Sequence, residues 1–197
     1  MFTRWIGIGS QFVLDRMVHA LSIARVHPNL LTAVGLAINI VAAILFGKGS
    51  FRAAGLVVLG AGLFDMMDGR VARASNTATS FGAFFDSVVD RYSDMALYMG
   101  LLVYYARVGR FLYLVLVALV MAGSVMISYT RARAESLIPS CKVGFLERPE
   151  RIVLIIIGAF WDRMGPVLWI IAVLSNITVV HRCIYTWRET QQTTSPS

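Results

Sequence analysis

Long apolar segments recur along the whole chain, and several are about as long as a bilayer is thick. The first covers residues 29–46, which as a helix would extend about 27 Å, against a hydrocarbon core of about 30 Å. Only 15% of the residues are charged, whereas a soluble domain carries about a quarter. The pattern therefore predicts an all-α integral membrane protein with one compact unit.

Six apolar segments, joined by short polar turns, are the predicted transmembrane helices. They cover residues 29–46, 51–73, 79–107, 110–133, 149–161 and 167–185. Pro28 suits the beginning of the first helix, because proline fits the first helical turn. The fifth segment is the shortest of the six. Together they form a predicted domain of residues 25–188.

The two ends of the chain lie outside this domain. Residues 1–24 carry apolar side chains at helical spacing and polar ones, such as Arg4 and Arg16, on the opposite side. This pattern is typical of an amphipathic helix in the membrane interface, although packing against protein is an equal alternative. Residues 189–197 are polar and are predicted to form a disordered tail.

The charge of the chain predicts its orientation. The chain has 18 lysine and arginine residues and a formal net charge of +7. With six helices both termini share one side, and most of the basic residues fall on that side. Because basic loops mark the cytoplasmic face, both termini and the loops after the second and fourth helices are predicted to be cytoplasmic in a cell membrane. No basic face separates from the apolar segments, which argues against a nucleic-acid partner.

Four aspartates lie inside the second and third apolar segments. Asp65 and Asp68 are three residues apart, and Asp86 and Asp90 are four apart, so each pair shares one helix face. The first pair lies roughly 8–12 Å, and the second roughly 10–16 Å, from the loop that joins the two helices. The four carboxylates, called here the aspartate cluster, are therefore predicted to meet at similar depth in the cytoplasmic leaflet.

The aspartate cluster needs positive partners. A charged side chain in the bilayer costs about 2.5 kcal/mol or more, and four carboxylates also repel one another. Oxygen-only ligands favour hard cations, so two Mg²⁺ ions are predicted, with Mn²⁺ as the alternative. Two metals would suit a displacement at phosphorus. A set of salt bridges to Arg70, Arg73 and Arg91 is the structural alternative.

The cluster is part of a longer pattern. It reads Asp65-x-x-Asp68-Gly69-x-x-Ala72-Arg73, eight further residues, and then Gly82-x-x-x-Asp86-x-x-x-Asp90. This resembles the signature of the CDP-alcohol phosphotransferase family, with every fixed position present. The resemblance implies that a CDP-linked lipid such as CDP-diacylglycerol gives its phosphatidyl group to an alcohol and that CMP is released. It also implies a homodimer.

The resemblance implies roles for single residues. Asp65, Asp68 and Asp86 would hold two metals, while Asp90 would hold one and also act as the base that takes the proton of the acceptor hydroxyl. Residues that contact the donor would be Asn29, Thr32, Gly69, Arg73 and Thr79. Some have a simpler interpretation, since Thr79 is also placed to cap a helix and Gly69 to pack one against another.

Two further segments resemble a branch of the family whose acceptor is inositol 1-phosphate. They are Ser-Tyr-Thr-Arg-Ala-Arg-Ala-Glu at residues 128–135 and Gly-Phe-Leu-Glu-Arg-Pro-Glu-Arg at residues 144–151. By this resemblance the acceptor phosphate would be bound by Arg131, Lys142, Arg148 and Arg151. Arginine forks suit a phosphate dianion, although basic residues also anchor cytoplasmic loops. Asp94 belongs to the same resemblance.

Three other functions are also compatible with the sequence. Phosphatidylglycerophosphate synthases usually carry an arginine where this chain has Ala33-Val34-Gly35. An archaetidylinositol phosphate synthase would differ in its lipid tails, on which the residues do not report. A divalent-cation transporter could also use intramembrane aspartates, but the inverted repeats common in transporters are not visible, and Gly69 and Arg73 have no role in it.

Overall fold

The structure is a computed structural model that describes residues 28–74 and 79–194, with side chains undescribed at positions 63, 66–74 and 192–194. The amphipathic helix predicted for residues 1–24 lies outside the described residues. The described residues form six α-helices, numbered here in chain order. They are α1 (Pro28–Gly47), α2 (Phe51–Ala74), α3 (Ser80–Arg107), α4 (Phe111–Glu135), α5 (Arg148–Phe160) and α6 (Met164–Thr194). The all-α prediction is confirmed, and the first five helices lie within two residues of the predicted segments.

The last helix is longer than predicted and continues through Thr194. The prediction of a disordered tail from residue 189 is therefore wrong up to that point. The hydroxyl groups of Thr186 and Thr190 donate to carbonyl oxygens one turn earlier, at 2.8 and 2.9 Å, so these polar groups are satisfied inside the helix. The arginine, glutamate and glutamines of this end also favour helix.

Three of the described helices are long and apolar enough to cross a membrane: α1, α4 and residues 164–191 of α6. Their outer surfaces carry large exposed apolar side chains such as Ile40, Leu119 and Val173, as expected for helices that face lipid. α3 is long but contains several aspartates and arginines. α5 has 13 residues, about 20 Å of helix, which is short for a bilayer core.

The helices pack around one apolar core. α1 packs against α2 and α3, α4 packs against α3 and α6, and α5 packs against α2 and α6. Gly100 of α3 lies directly against the backbone of α1, because a Cβ at this position would be 2.7 Å from the Cα of Ala43. Small residues permit such close helix contacts. This contact holds the C-terminal part of α1 against the C-terminal part of α3.

The loop between α4 and α5 is fastened to α6. Gly144 has a φ of +136°, and a Cβ there would lie 2.6 Å from a methyl carbon of Thr178, so only glycine fits. The next backbone N–H, that of Phe145, donates to the Thr178 hydroxyl at 3.2 Å. Arg182 Nε donates to the carbonyl oxygen of Val143 at 2.8 Å. These contacts position the residues that begin α5.

Candidate active site

Aspartates from α2 and α3 meet around an arginine from α5. Arg148 Nη1 lies 2.8 Å from Asp65 Oδ2 and 3.0 Å from Asp90 Oδ1. Asp86 is half-buried one turn before Asp90 and interacts electrostatically with Asp65 and Arg148. The structure thus brings together three members of the aspartate cluster, and the side chain of the fourth, Asp68, lies outside the described side chains.

The arginine at the cluster differs from those considered on the sequence alone. Arg91 donates to the Ser87 carbonyl oxygen of its own helix. The side chains of Arg70 and Arg73 lie outside the description. Arg148, which the sequence pattern assigned to the acceptor phosphate, forms the ion pairs with Asp65 and Asp90 that the structure describes.

Asp94 binds two arginines at once. Its Oδ1 accepts from Arg148 Nε at 3.3 Å, and its Oδ2 accepts from Arg151 Nη2 at 2.8 Å. The Asp94 side chain is 8% exposed and that of Arg151 is 2% exposed. Because a buried charge is costly unless it is paired, this carboxylate holds both arginines in place. Within the described structure, Arg151 Nε and Nη1 are buried without a hydrogen-bond partner.

The start of α5 explains why these two arginines face the same carboxylate. Glu150 Oε2 accepts a hydrogen bond from the Glu147 N–H at 2.9 Å, which completes a capping box. Pro149 occupies the first helical turn, where its missing N–H costs nothing. Arg148 and Arg151 are three residues apart on the helix that begins here, so they share one face.

Beside the aspartates lies a cavity of about 400 Å³ formed by α3, α4, α5 and α6, within the range of small-molecule sites. It is called here the arginine cavity. Its charged lining residues are Asp90, Arg91, Asp94, Arg131, Glu135, Glu147, Arg148, Arg151 and Arg182. Arginines outnumber acids in this lining, so the cavity carries a positive excess that favours an anion.

The predicted acceptor residues are only partly brought together. Arg131, Arg148 and Arg151 line the arginine cavity, and Arg131 reaches Glu135 Oε1 at 3.1 Å and Glu147 Oε1 at 3.2 Å. Lys142 is exposed in the loop before α5 and does not belong to the described lining. The grouping of Lys142 with the arginines therefore stays a prediction.

Arg182 also lines the arginine cavity, and this was not predicted from the sequence. It is 1% exposed, and its Nη1 donates to the Ile127 carbonyl oxygen at 2.5 Å, while Nη2 lies 3.5 Å from Glu147 Oε1. The available signal was a single arginine inside the apolar sixth segment, because charged residues at such positions are usually functional. Its alignment with the other arginines depends on how α6 packs against α4.

The predicted donor residues lie at the beginnings of α1 and α3. Thr79 caps α3, and its hydroxyl accepts from the Gly82 N–H at 2.9 Å. A Cβ at Gly82 would lie 3.1 Å from this hydroxyl and 3.4 Å from Asn29 Oδ1, so the two helix starts are adjacent. Thr32 is buried and donates to the Pro28 carbonyl oxygen at 3.2 Å.

The start of α1 also borders the aspartates. A Cβ at Gly35 would lie 3.0 Å from Asp65 Oδ1, so α1 passes directly over this carboxylate. The buried Asn39 donates to the Gly35 carbonyl oxygen at 3.1 Å. The other predicted donor residues are Gly69 and Arg73 of α2, and the Arg73 side chain lies outside the described side chains.

The aspartates suit a hard divalent cation. Two carboxylates from different helices already share one cationic nitrogen, Arg148 Nη1, so their oxygens are spaced around positive charge. Oxygen donors of this kind select Mg²⁺ or Mn²⁺. Within the described residues no three His, Cys, Asp or Glu side chains are arranged to hold one metal. A complete ligand set would need Asp68 and a shift of Arg148.

Comparison with known proteins places these residues in a family context. The sequence profile of the CDP-alcohol phosphatidyltransferase family matches residues 25–186. The phosphatidylinositol phosphate synthase of Mycobacterium tuberculosis is 37% identical over 171 residues, which cover 81% of this chain and 79% of that protein. The archaetidylinositol phosphate synthase of Methanothermobacter thermautotrophicus is 34% identical over 165 residues, 80% of this chain and 82% of that protein.

Solved structures agree with the sequence comparison. The crystal structure of the M. tuberculosis phosphatidylinositol phosphate synthase with CDP-DAG bound superposes with a TM-score of 0.83 at 32% identity, covering 89% of this chain and 94% of that chain. The structure of the same enzyme in complex with manganese and citrate superposes with a TM-score of 0.82 at 33% identity, covering 88% of each chain. The helix arrangement described above is therefore that of a known membrane enzyme.

Proposed function

Because the chain belongs to the CDP-alcohol phosphatidyltransferase family, we propose that it transfers the phosphatidyl group of CDP-diacylglycerol to a hydroxyl of inositol 1-phosphate. The products are phosphatidylinositol phosphate and CMP. The observation that carries the proposal is that the arginine cavity opens directly beside the aspartates and shares Asp90 with them. An acceptor that carries a phosphate dianion needs such a cluster of arginine forks next to the reacting centre.

Asp90 is the proposed catalytic base. It belongs to the aspartate cluster, contacts Arg148 Nη1 and also lines the arginine cavity. In the proposed reaction Asp90 takes the proton of the acceptor hydroxyl, whose oxygen attacks the phosphatidyl phosphorus of the donor. The bond from that phosphorus to the bridging oxygen breaks, and CMP leaves with this oxygen.

Asp65, Asp68, Asp86 and Asp90 would together hold two divalent ions, Mg²⁺ with Mn²⁺ as the alternative. When bound, such ions supply positive charge for the phosphate oxygens of the donor. Crystals of the M. tuberculosis relative contain manganese, which supports a divalent metal for the family. The carboxylates would hold these ions between α2 and α3, next to Asp90.

The donor site is proposed at the junction of α1 and α3. Asn29, Thr32 and Thr79 would contact the CDP moiety together with Gly69 and Arg73 of α2. The adjacency of Asn29 and Thr79 at Gly82 supports this assignment, because it brings the polar starts of two helices to one place. The M. tuberculosis structure with CDP-DAG bound supports this class of donor.

The acceptor phosphate is proposed to lie in the arginine cavity. Arg131 and Arg182 share the Glu147 carboxylate, and Arg148 and Arg151 share Asp94, so the four form two pairs around one space. A phosphate dianion would compete with these carboxylates for the same donors. Lys142 is left out of the proposed site because it is exposed and lies outside the cavity lining.

The proposal includes an arrangement in the membrane. α2, α3 and α5 would complete a six-span domain with the three long apolar helices, and residues 1–24 would lie along the interface. Both termini and the arginine cavity would face the cytoplasm, in accordance with the distribution of basic residues. The chain would act as a homodimer in the cell membrane.

An archaetidyl donor is the second candidate. The 34% identical archaetidylinositol phosphate synthase favours it, and both candidates share the acceptor site described above. A phosphatidylglycerophosphate synthase is disfavoured by Ala33-Val34-Gly35, where such enzymes usually carry an arginine. In this chain Gly35 is close to the Asp65 carboxylate.

The proposal is tested by CMP release from purified protein. CDP-diacylglycerol and CDP-archaeol are offered separately, each with inositol 1-phosphate, glycerol 3-phosphate, serine or free inositol. Fast release only with CDP-diacylglycerol and inositol 1-phosphate supports the proposal. Faster release with CDP-archaeol assigns the archaetidyl reaction instead, and equal release with free inositol contradicts a phosphate site.

A further inference from the structure

Arg148 contacts both halves of the candidate site. Its Nη1 lies on Asp65 and Asp90, while the same side chain lines the arginine cavity. It is one-quarter exposed, so it has access to a bound anion. The guanidinium therefore stands between the carboxylates and the proposed acceptor phosphate.

The three carboxylates that contact Arg148 do so at different distances from its backbone. Asp94 accepts from Nε at 3.3 Å, near the stem of the side chain, whereas Asp65 and Asp90 contact the terminal Nη1. Asp94 is itself fixed by the buried Arg151 at 2.8 Å. Because Nη1 lies further along the side chain than Nε, changes in the side-chain torsions displace Nη1 more than Nε, so Nη1 can leave the aspartates while Nε stays near Asp94.

The charge of Arg148 opposes a divalent ion on the same oxygens. A single and a double positive charge within a few ångström repel strongly where water is partly excluded. An anionic phosphate in the cavity offers the guanidinium an alternative partner of at least equal strength. Arg148 therefore leaves Asp65 and Asp90 and binds the phosphate in a single side-chain movement.

We propose that Arg148 is a shared cation, and that Asp94 is the positioning residue which keeps it within reach of both the aspartates and the acceptor phosphate. In one arrangement Arg148 pairs with Asp65 and Asp90, and in the other it binds the phosphate while the carboxylates hold divalent ions. Metal and acceptor consequently bind with positive cooperativity. This inference rests on the proposed function, because it takes the ligand of the cavity to be a phosphorylated acceptor.

The cooperativity is measurable without turnover. Mn²⁺ binding to the purified full-length protein is followed by the electron paramagnetic resonance signal of free Mn²⁺, with and without saturating inositol 1-phosphate and in the absence of donor. Coupling between two sites typically changes affinity about 5–150-fold, and the wild type should show a gain in this range. By linkage, Mn²⁺ should raise the affinity for the acceptor by the same factor.

Two variants at position 148 and one control variant elsewhere separate the effect of charge from that of structure. Arg148→Gln should bind Mn²⁺ more tightly than the wild type without acceptor, and should lose most of the response to acceptor. Arg148→Lys keeps the charge and should bind Mn²⁺ close to the wild-type affinity without acceptor. Arg133→Gln is the matched control, because Arg133 is exposed, bonds to Ser136 Oγ at 3.2 Å and lies outside the described cavity lining.

The role of Asp94 is tested by the same titration. Asp94→Asn should reduce the acceptor-dependent gain in Mn²⁺ affinity, and Asp94→Glu, which restores a carboxylate, should recover part of it. A purely structural role for Asp94 would lower the amount of folded protein without changing the gain measured on the folded fraction. That result would overturn the assignment of Asp94.

The outcomes also distinguish this inference from the proposed function. If the wild type releases CMP with inositol 1-phosphate but Arg148→Gln binds Mn²⁺ no more tightly and keeps the full acceptor response, the shared-cation inference is wrong and the function stands. If the wild type does not use inositol 1-phosphate, while another phosphorylated acceptor raises Mn²⁺ affinity through Arg148, the acceptor assignment is wrong and the coupling stands.

Discussion

Gly100→Ala should weaken the close contact between α1 and α3. The added Cβ would lie 2.7 Å from the Cα of Ala43 and 2.8 Å from its carbonyl carbon. Both are backbone atoms, so the helices must separate, since no side chain can rotate away. Overpacking of this kind costs about 1–3 kcal/mol, and helix propensity returns about 1 kcal/mol for a glycine-to-alanine change.

Gly60→Ala in α2 is the matched control for this prediction. A Cβ at Gly60 meets nothing within 4 Å, so this variant should show only the propensity gain. The two variants should therefore differ in stability by roughly 1–3 kcal/mol. At about 2–4 °C per kcal/mol for a chain of this size, thermal unfolding in detergent should show Gly100→Ala melting well below Gly60→Ala. Equal melting temperatures would refute the close packing of α1 on α3.

Other predictions concern the chemistry. Asp90→Asn should lower kcat about 10²–10⁴-fold while CDP-lipid binding stays close to the wild type, and turnover within tenfold of the wild type would exclude a base role. Chelation by EDTA should abolish CMP release and added Mg²⁺ or Mn²⁺ should restore it, so full activity in the chelator would contradict the metal assignment. Arg131→Gln should raise the acceptor KM about 10–150-fold, as expected for one lost charge-assisted hydrogen bond, with the donor KM unchanged. Lys142→Gln should leave both constants near the wild type, and a large effect on the acceptor KM would return Lys142 to the site.

Local sequence signals were sufficient to predict where most of the helices begin and end. Pro28 and Thr79 mark the beginnings of α1 and α3, and the Gly49 turn, with its φ of +84°, separates α1 from α2. These features act within a few residues, so the pattern of the chain reveals them. The end of α6 was harder to predict, because Thr186 and Thr190 satisfy their hydroxyls inside the helix and polarity alone suggested a tail.

Charge pairing within the candidate site was not visible in the sequence. The arginines considered as partners for the aspartates were neighbours on the same helices, whereas the structure pairs Asp65 and Asp90 with Arg148 of α5. That pairing depends on how the capping box at Glu147 orients α5 and on how α5 packs against α2. Arg182 joins the cavity for a similar reason, since its place is set by α6 packing on α4.

The contact of Asp94 with two arginines was likewise not visible in the sequence. Its spacing from Asp90 put it on one face of α3, but spacing does not reveal that two arginines from another helix meet there. Such networks are decided by tertiary packing and by the need to pair buried charge.

The proposed reaction joins a phosphatidyl group to a phosphorylated inositol. The most direct test is the product formed by the purified protein from CDP-diacylglycerol and inositol 1-phosphate with Mg²⁺. We expect a lipid that carries one phosphodiester and one phosphomonoester phosphorus by ³¹P NMR, formed in equal amount to CMP and absent with Asp90→Asn. A lipid product with the phosphodiester alone, or CMP release without a new lipid, would contradict it.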